Sequence, residues 1–234
     1  MVKKKRSIVS MLFAGIILIA GIMVILYPYY KQQVYIQEAK EAIRRFEYSA
    51  TPPNLDRSTL DKMREEMLEY NKRLFETKQA GLAGTEAYEQ ADFSVSEYGF
   101  EDGILGYLSI PAMGVELPVL IGATKENMNG GAVRLSQTSL PIGGENTNTV
   151  MAAHRGYATA AMFRDIEILS EGDSIFFTNF FETLEYKVVE TRVIVPTDID
   201  AVLIQEGRDL ITLVTCHPFR FNYQRYLVYA ERAA

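Results

Sequence analysis

The chain has 234 residues, enough for one sizeable domain with attachments or for two small domains. Hydrophobic residues make up 48% and charged residues 23%, which excludes wholesale disorder. A single cysteine excludes an intrachain disulfide and a Cys-rich metal centre, and two histidines exclude a multi-histidine centre. We therefore expect neither a metal nor a cofactor. The formal net charge is −6, and because four basic residues lie within the first six positions, the remainder is more acidic still. Such a body is a poor binder of nucleic acid.

A membrane anchor is predicted at the N-terminus, over residues 1–30. No charged residue lies between Ser7 and Tyr30, and the apolar run Ile8–Tyr27 is long enough to cross about 30 Å of hydrocarbon as a helix. The basic cluster Lys3–Arg6 keeps its own end in the cytoplasm and places the rest of the chain outside the cell. A cleaved signal peptide is the alternative, but the run is longer than a usual signal core and no A-x-A-like site ends it. No second run of this length follows, so we expect a single crossing.

Residues 31–102 are predicted to form a helical region followed by a loop. Apolar residues at helical spacing predict one helix from Lys31 to about Glu47 and a second over Leu55–Lys78, with a break at Thr51–Pro53. We interpret the two as a helical hairpin packed on the main domain; a partner-binding helix is the alternative. The segment Gln79–Phe100 has little periodicity and is interpreted as a loop.

Residues 103–234 are predicted to form a mainly β domain. Short β-rich runs recur between turn residues. They are Leu105–Ile110, Val115–Ile121, Thr149–Ala153, Ser174–Asn179, Leu184–Val195, Leu210–Cys216 and Arg225–Glu231. One short helix is expected, at Ala158–Leu169. Seven or eight strands over about 130 residues indicate a closed β-barrel or a sandwich.

Cys216 is the candidate nucleophile because it ends a predicted strand, where a side chain is held firmly yet reaches a cleft. The alternative is a buried small hydrophobic residue. A thiol nucleophile needs a base and an oxyanion donor. His154 also ends a β-run and could meet Cys216 at one barrel rim, whereas His217 would point to the opposite face of its strand. Arg225 begins a strand nine residues after the thiol and fits a hairpin return, unless it forms a surface salt bridge.

Three segments resemble the His, Cys and Arg segments of the sortase family, and they occur in that order. They are AAHRG (Ala152–Gly156), TLVTC (Thr212–Cys216) and NYQRYLVYAER (Asn222–Arg232). Four further segments resemble the class C, pilus-building sortases. They are YNKRL (Tyr70–Leu74), LGYLSIP (Leu105–Pro111), LPVLIGA (Leu117–Ala123) and TSLPIGG (Thr138–Gly144).

The resemblance implies an eight-stranded sortase-type β-barrel behind the helical hairpin and the single transmembrane helix. It implies Cys216 as nucleophile, His154 as acid/base and Arg225 as oxyanion or substrate clamp. The implied enzyme is a cysteine transpeptidase on the outside of the membrane of a Gram-positive bacterium. It would cleave an LPXTG-type sorting signal between Thr and Gly and join the acyl group to a pilin lysine, or, in a housekeeping sortase, to a cell-wall precursor.

A lid is also implied, with a departure from the family pattern. Class C sortases usually carry an Asp-Pro-aromatic motif over the active site, and this chain has Asp92-Phe93-Ser94 without the proline. The resemblance implies that Asp92 faces Arg225 and that Phe93 covers Cys216; the alternative is a plain linker. Many class C enzymes also have a C-terminal membrane helix, for which this sequence has no matching apolar run.

Two further functions remain open at the level of sequence. A plain cysteine endopeptidase would release a free Thr carboxylate even when amine is abundant. A non-catalytic, membrane-tethered assembly scaffold would leave Cys216 unreactive towards thiol reagents.

Overall fold

The computed structural model describes residues 2–51, 56–82, 88, 90–100, 102–156 and 160–233. The first helix, α1 (Val2–Ser49), is continuous. It includes both the predicted membrane anchor and the helix predicted from Lys31 to about Glu47. Of the helices in the described ranges, α1 is the one that is long and apolar enough to cross a membrane. Its large apolar side chains from Met11 to Leu26 are exposed to solvent, as expected of a segment that lipid would cover.

The second helix, α2 (Arg57–Glu76), begins at an aspartate cap and packs on the main domain. The Asp56 carboxylate accepts a 3.0 Å hydrogen bond from the Thr59 backbone N–H, which satisfies one of the unpaired donors of the first turn. The fully buried Met63 and Met67 share a cluster with Phe46 of α1 and with barrel residues. Both helices therefore pack against the domain, as the sequence predicts.

Eight strands form a closed barrel in the order β1-β2-β3-β4-β7-β8-β6-β5. Their bounds are β1 Ile104–Ile110, β2 Val115–Ile121, β3 Ala132–Arg134, β4 Thr147–Ala152, β5 Ser174–Thr178, β6 Thr183–Ile194, β7 Asp209–His217 and β8 Gln224–Arg232. The β2–β3 and β4–β7 pairs are parallel and the others are antiparallel. The predicted eight-stranded barrel is confirmed.

Two short elements differ from the sequence-based predictions. A six-residue helix, α3 (Lys125–Gly130), and the three-residue strand β3 were not predicted. The helix predicted at Ala158–Leu169 is wrong over the part that the structure describes, which has turns and a 3₁₀ turn at Ile166–Ile168; Ala158 lies outside the described residues. Met162 adopts φ 41°, in the left-handed region, which an α-helix of L-residues does not tolerate.

Side chains of β4, β7 and β8 alternate between two hydrophobic clusters. Ile211 and Leu213 belong to the larger cluster, which fills the barrel and extends beneath the helices. Val214 and Leu227 belong to a smaller cluster on the other face of these strands. Since successive side chains of a strand point to opposite faces, this alternation fixes which face each rim residue occupies.

Candidate active site

The strands that precede His154 and Cys216 run in parallel and end at the same rim. Ala152 of β4 is the register partner of Val214 of β7. The pairing continues past the strand end, because Ala153 N donates to the Val214 carbonyl (3.2 Å) and Thr215 Oγ1 donates to the Ala153 carbonyl (2.8 Å). His154 and Cys216 each follow two residues after this register pair, so they emerge side by side.

Arg225 is the direct cross-strand neighbour of Cys216. β7 and β8 are antiparallel, and Cys216 pairs with Arg225 in their register. Directly opposite residues on neighbouring strands share a face, with Cβ atoms about 4.5–5.5 Å apart. The predicted hairpin return is therefore confirmed.

All three predicted residues occupy the face of the smaller cluster. Alternation from Val214 places Cys216 on that face, and alternation from Leu227 places Arg225 there. His154 lies two residues after Ala152, and Ala152 packs against the same cluster. The structure thus assembles a thiol, an imidazole and a guanidinium at one rim and on one face.

The nucleophile and the base are both half-buried. Cys216 is a free thiol. Burial lowers the pKa of His154 from its usual 6.5, so its neutral imidazole predominates near neutral pH. A neutral ring can accept the proton of the thiol, and the resulting imidazolium can return that proton to a leaving amine.

Arg225 directs part of its guanidinium towards its own loop. Both hydrogens of Nη1 are used, since Nη1 donates to the Asn222 carbonyl (2.8 Å) and to the Gln224 carbonyl (3.0 Å). Within the described residues, no acceptor engages Nε or Nη2 and no carboxylate pairs with Arg225. The surface salt bridge weighed from the sequence does not form there, and these donors can serve an oxyanion beside Cys216.

A glycine makes the turn after His154 possible. Gly156 adopts φ 82°, and a Cβ added there would lie 2.7 Å from the Ala161 carbonyl oxygen. The chain folds back at this point, and Phe163 N donates to the His154 carbonyl at 3.1 Å. The turn holds the base at the end of β4.

His217 lies on the opposite face from Cys216, as predicted. Its Nδ1 lies 2.9 Å from Arg155 Nη1 and 3.1 Å from Glu167 Oε1, and its ring contacts Tyr226 at a centroid distance of 5.7 Å. Sequence reasoning missed Arg155 and Glu167. For Arg155 a signal existed, because it directly follows the candidate base; for Glu167 we find none.

Comparison with known proteins identifies the family. The family model of the sortase domain matches residues 108–233. The chain belongs to the sortase family. Sortase A of Bacillus anthracis is 33% identical over 125 residues, which cover 53% of this chain and 58% of that protein, so the chain spans less than two thirds of that relative's length.

Solved class C sortases share the fold of this sortase. Sortase C-1 of Streptococcus pneumoniae superposes with a TM-score of 0.73 at 32% identity, over 83% of this chain and 98% of the other. Sortase C of Clostridium perfringens gives a TM-score of 0.69 at 29% identity, over 83% and 99%. The resemblance to class C seen in the sequence is thereby confirmed.

In this sortase, the predicted partner of Asp92 is corrected from Arg225 to Arg134. Arg134 Nη1 donates to Asp92 Oδ1 at 3.1 Å, and Arg134 Nη2 also contacts Oδ1. The other carboxylate oxygen accepts from the Tyr70 hydroxyl and from Gln137 N. Burial raises the pKa of Tyr70, so its phenol stays protonated and donates. The fully buried Arg134 needs a carboxylate close by, which explains the different pairing.

The predicted position of Phe93 against the Cys216 sulfur is also corrected. The Phe93 ring stacks on Tyr98 at 6.2 Å and meets the edge of Tyr70 at 6.3 Å between centroids. These contacts place it against the larger cluster, whereas Cys216 faces the smaller one. From the same loop, Tyr88 packs against the smaller cluster.

Proposed function

We propose that this sortase is a membrane-anchored cysteine transpeptidase that polymerises pilins. It cleaves an LPXTG-type sorting signal between Thr and Gly and transfers the acyl group to a lysine amine of the next pilin. The observation that carries the proposal is the placement of His154, Cys216 and Arg225 on one face of one rim, fixed by the β4–β7 and β7–β8 registers. A pilin acceptor is favoured over a cell-wall acceptor because a solved neighbour, sortase C of Streptococcus pneumoniae, is described by its pilin substrate specificity.

The first half-reaction forms a thioacyl-enzyme. Cys216 gives its proton to His154, and Sγ forms a bond to the Thr carbonyl carbon. The carbonyl oxygen becomes an oxyanion, which the Nε and Nη2 donors of Arg225 stabilise. When the intermediate collapses, the Thr–Gly C–N bond breaks and the His154 imidazolium protonates the departing Gly amine.

The second half-reaction resolves the thioester. The acceptor amine attacks the same carbonyl carbon, and its surplus proton goes to His154. The C–S bond then breaks, its electron pair returns to Sγ, and the proton on His154 restores the thiol. Water in place of the amine would give a carboxylic acid, so a site that disfavours water favours transfer over hydrolysis.

The N-terminal helix supplies the location in this proposal. An exposed apolar stretch of α1 follows the basic cluster Lys3–Arg6, which favours a single crossing with the barrel outside the cell. Sorting signals and acceptors at the outer membrane surface would then meet the rim without diffusing from solution, which raises their effective concentration.

The test uses the full chain in detergent or liposomes with an LPXTG-type peptide and candidate acceptors, analysed by mass spectrometry. A new isopeptide on a pilin lysine, lost in Cys216→Ala, is the expected result. A product with a cell-wall amine only would indicate a housekeeping sortase. A free Thr carboxylate in the presence of abundant amine would indicate an endopeptidase, and an unreactive Cys216 without cleavage would indicate a scaffold.

A further inference from the structure

A second group of three side chains lies directly behind the first. Arg155, His217 and Tyr226 each follow one of the residues His154, Cys216 and Arg225 in the sequence. Because side chains of a strand alternate, His217 of β7 and Tyr226 of β8 each point to the face opposite their neighbour, and Arg155, which lies beyond the end of β4, is placed with them by its contacts. Tyr226 accordingly packs against the larger cluster, and Arg155 is buried, with 6% of its surface exposed.

The three members of this inner group contact one another. Arg155 Nη1 lies 2.9 Å from His217 Nδ1. The Arg155 Cζ atom lies 5.8 Å from the centroid of the Tyr226 ring, and the rings of His217 and Tyr226 are 5.7 Å apart. Arg155 follows β4, His217 ends β7 and Tyr226 lies in β8. The inner group therefore links the three chain segments that carry the outer residues His154, Cys216 and Arg225.

A carboxylate and a backbone carbonyl complete the group. Glu167 Oε2 accepts from Arg155 Nη2 at 2.7 Å, and its other oxygen lies 3.1 Å from His217 Nδ1. Arg155 Nη1 also donates to the Cys216 carbonyl at 3.4 Å. The guanidinium that directly follows the base is therefore bonded to the backbone of the nucleophile.

We propose that Arg155 is a positioning residue of this sortase: together with Glu167 and His217 it fixes the ends of β4 and β7, and so sets the placement of His154 relative to Cys216. This inference rests on the proposed function, because it assigns His154 and Cys216 to the reaction. Proton transfer and nucleophilic attack need reacting atoms held about 3–3.5 Å apart, and a misplacement of about 1 Å can cost 10²-fold in rate.

The hydrogen bonds of His217 can be tested separately from its size. The His217 Nδ1 atom lies within reach of both neighbours: without a proton it accepts from Arg155 Nη1, and with a proton it donates to Glu167 Oε1. An asparagine carbonyl oxygen can accept from Arg155 in the same way, whereas leucine has a similar size and no acceptor. The pair His217→Asn and His217→Leu therefore separates the hydrogen bond from the volume.

The experiment measures kcat and KM of the full chain with an LPXTG-type peptide and an amine. We expect Arg155→Met to lower kcat by about 10–100-fold and to change KM less than about threefold. Substrate binding would be retained, whereas the alignment of His154 with Cys216 would be lost. Arg155→Lys should restore only part of the loss, since one ammonium cannot bond both Glu167 and His217 with the same fork. His217→Leu should lose more than His217→Asn.

The matched control is Arg208→Met. It removes an arginine–glutamate pair of the same length, 2.7 Å to Glu231, at the far end of the β7–β8 pair. Its kcat should stay within about twofold of the wild type, as is usual for substitutions away from the site. If Arg155→Met keeps the wild-type kcat, or loses no more than Arg208→Met, the positioning role is wrong.

Two further readouts keep the inference testable. Should Arg155→Met fail to fold, Glu167→Gln serves instead, because the Glu167 side chain is 47% exposed; an unchanged kcat there overturns the inference. If the wild type neither cleaves the peptide nor forms an acyl-enzyme, the proposed function fails. In that case the rate at which iodoacetamide alkylates Cys216 tests the positioning role, and an equal rate in wild type and Arg155→Met refutes it.

Discussion

Asp92→Ala tests whether this aspartate stabilises the fold through Arg134 rather than forming a gate at Arg225. The substitution removes the carboxylate that pairs with Arg134, whose side chain is fully buried, and leaves the Tyr70 hydroxyl and Gln137 N without their acceptor. Removing one partner of a buried ion pair costs about 3–5 kcal/mol, because an uncompensated charge stays in the interior. At about 2–4 °C per kcal/mol for a domain of this size, the midpoint of thermal unfolding should fall by about 6–20 °C.

The assay combines thermal unfolding, followed by near-UV circular dichroism, with the alkylation rate of Cys216. Asp102→Ala is the control, since it removes an aspartate–arginine pair whose side chains are 54% and 60% exposed and should cost about 0–1 kcal/mol. Adding Arg134→Met to Asp92→Ala should recover part of the loss, because no buried charge then remains unpaired. If Asp92→Ala unfolds with the wild type while Cys216 reacts much faster, the aspartate gates the site and the stabilising role is refuted.

Three further predictions concern the rim. The unfolding free energy should decrease as the pH falls through about 6.5, because burial lowers the pKa of His154 in the folded state and the unfolded chain takes up the proton first. The same pH dependence of the unfolding free energy should be absent in His154→Gln. Gly156→Ala should destabilise the protein by at least about 1–2 kcal/mol in urea unfolding, since φ is positive and the added Cβ would meet the Ala161 carbonyl; wild-type stability would contradict the turn geometry. The cleavage rate should decrease at acidic pH, because burial lowers the pKa of His154 and a protonated His154 cannot accept a proton; a flat profile from about pH 5 to 10 would contradict the role of His154 as base.

The strands of the barrel were predictable where their apolar runs are long. β7 and β8 were predictable because each has a run rich in leucine, β-branched or aromatic residues, as buried strands do. β3 escaped because Ala132–Arg134 is too short to show a period, and its pairing with β2 and β4 comes from the barrel itself. On α2 the pattern failed at Leu68, which is apolar but 51% exposed.

The outer residues of the site followed from strand ends, and the inner ones did not. A residue that ends a strand can be placed at a rim from the sequence alone, which is how His154 and Cys216 were brought together. The pairing of Arg155 with Glu167 depends on how the crossover after β4 folds back, and local spacing contains no information on that path. For the same reason the sequence could not show that Asp92 pairs with Arg134, in the unpredicted β3, instead of Arg225.

The most direct measurement of the central proposal is the intact mass of the full chain during turnover of an LPXTG-type peptide. We expect an adduct of the peptide acyl group on Cys216, mapped to that residue after digestion and released as an amide when a lysine-bearing pilin is added. Cys216→Ala should neither form the adduct nor cleave the peptide, and His154→Gln should be impaired almost as strongly. Peptide cleavage that persists in Cys216→Ala, or product formation without any adduct on Cys216, would contradict the assignment of the nucleophile.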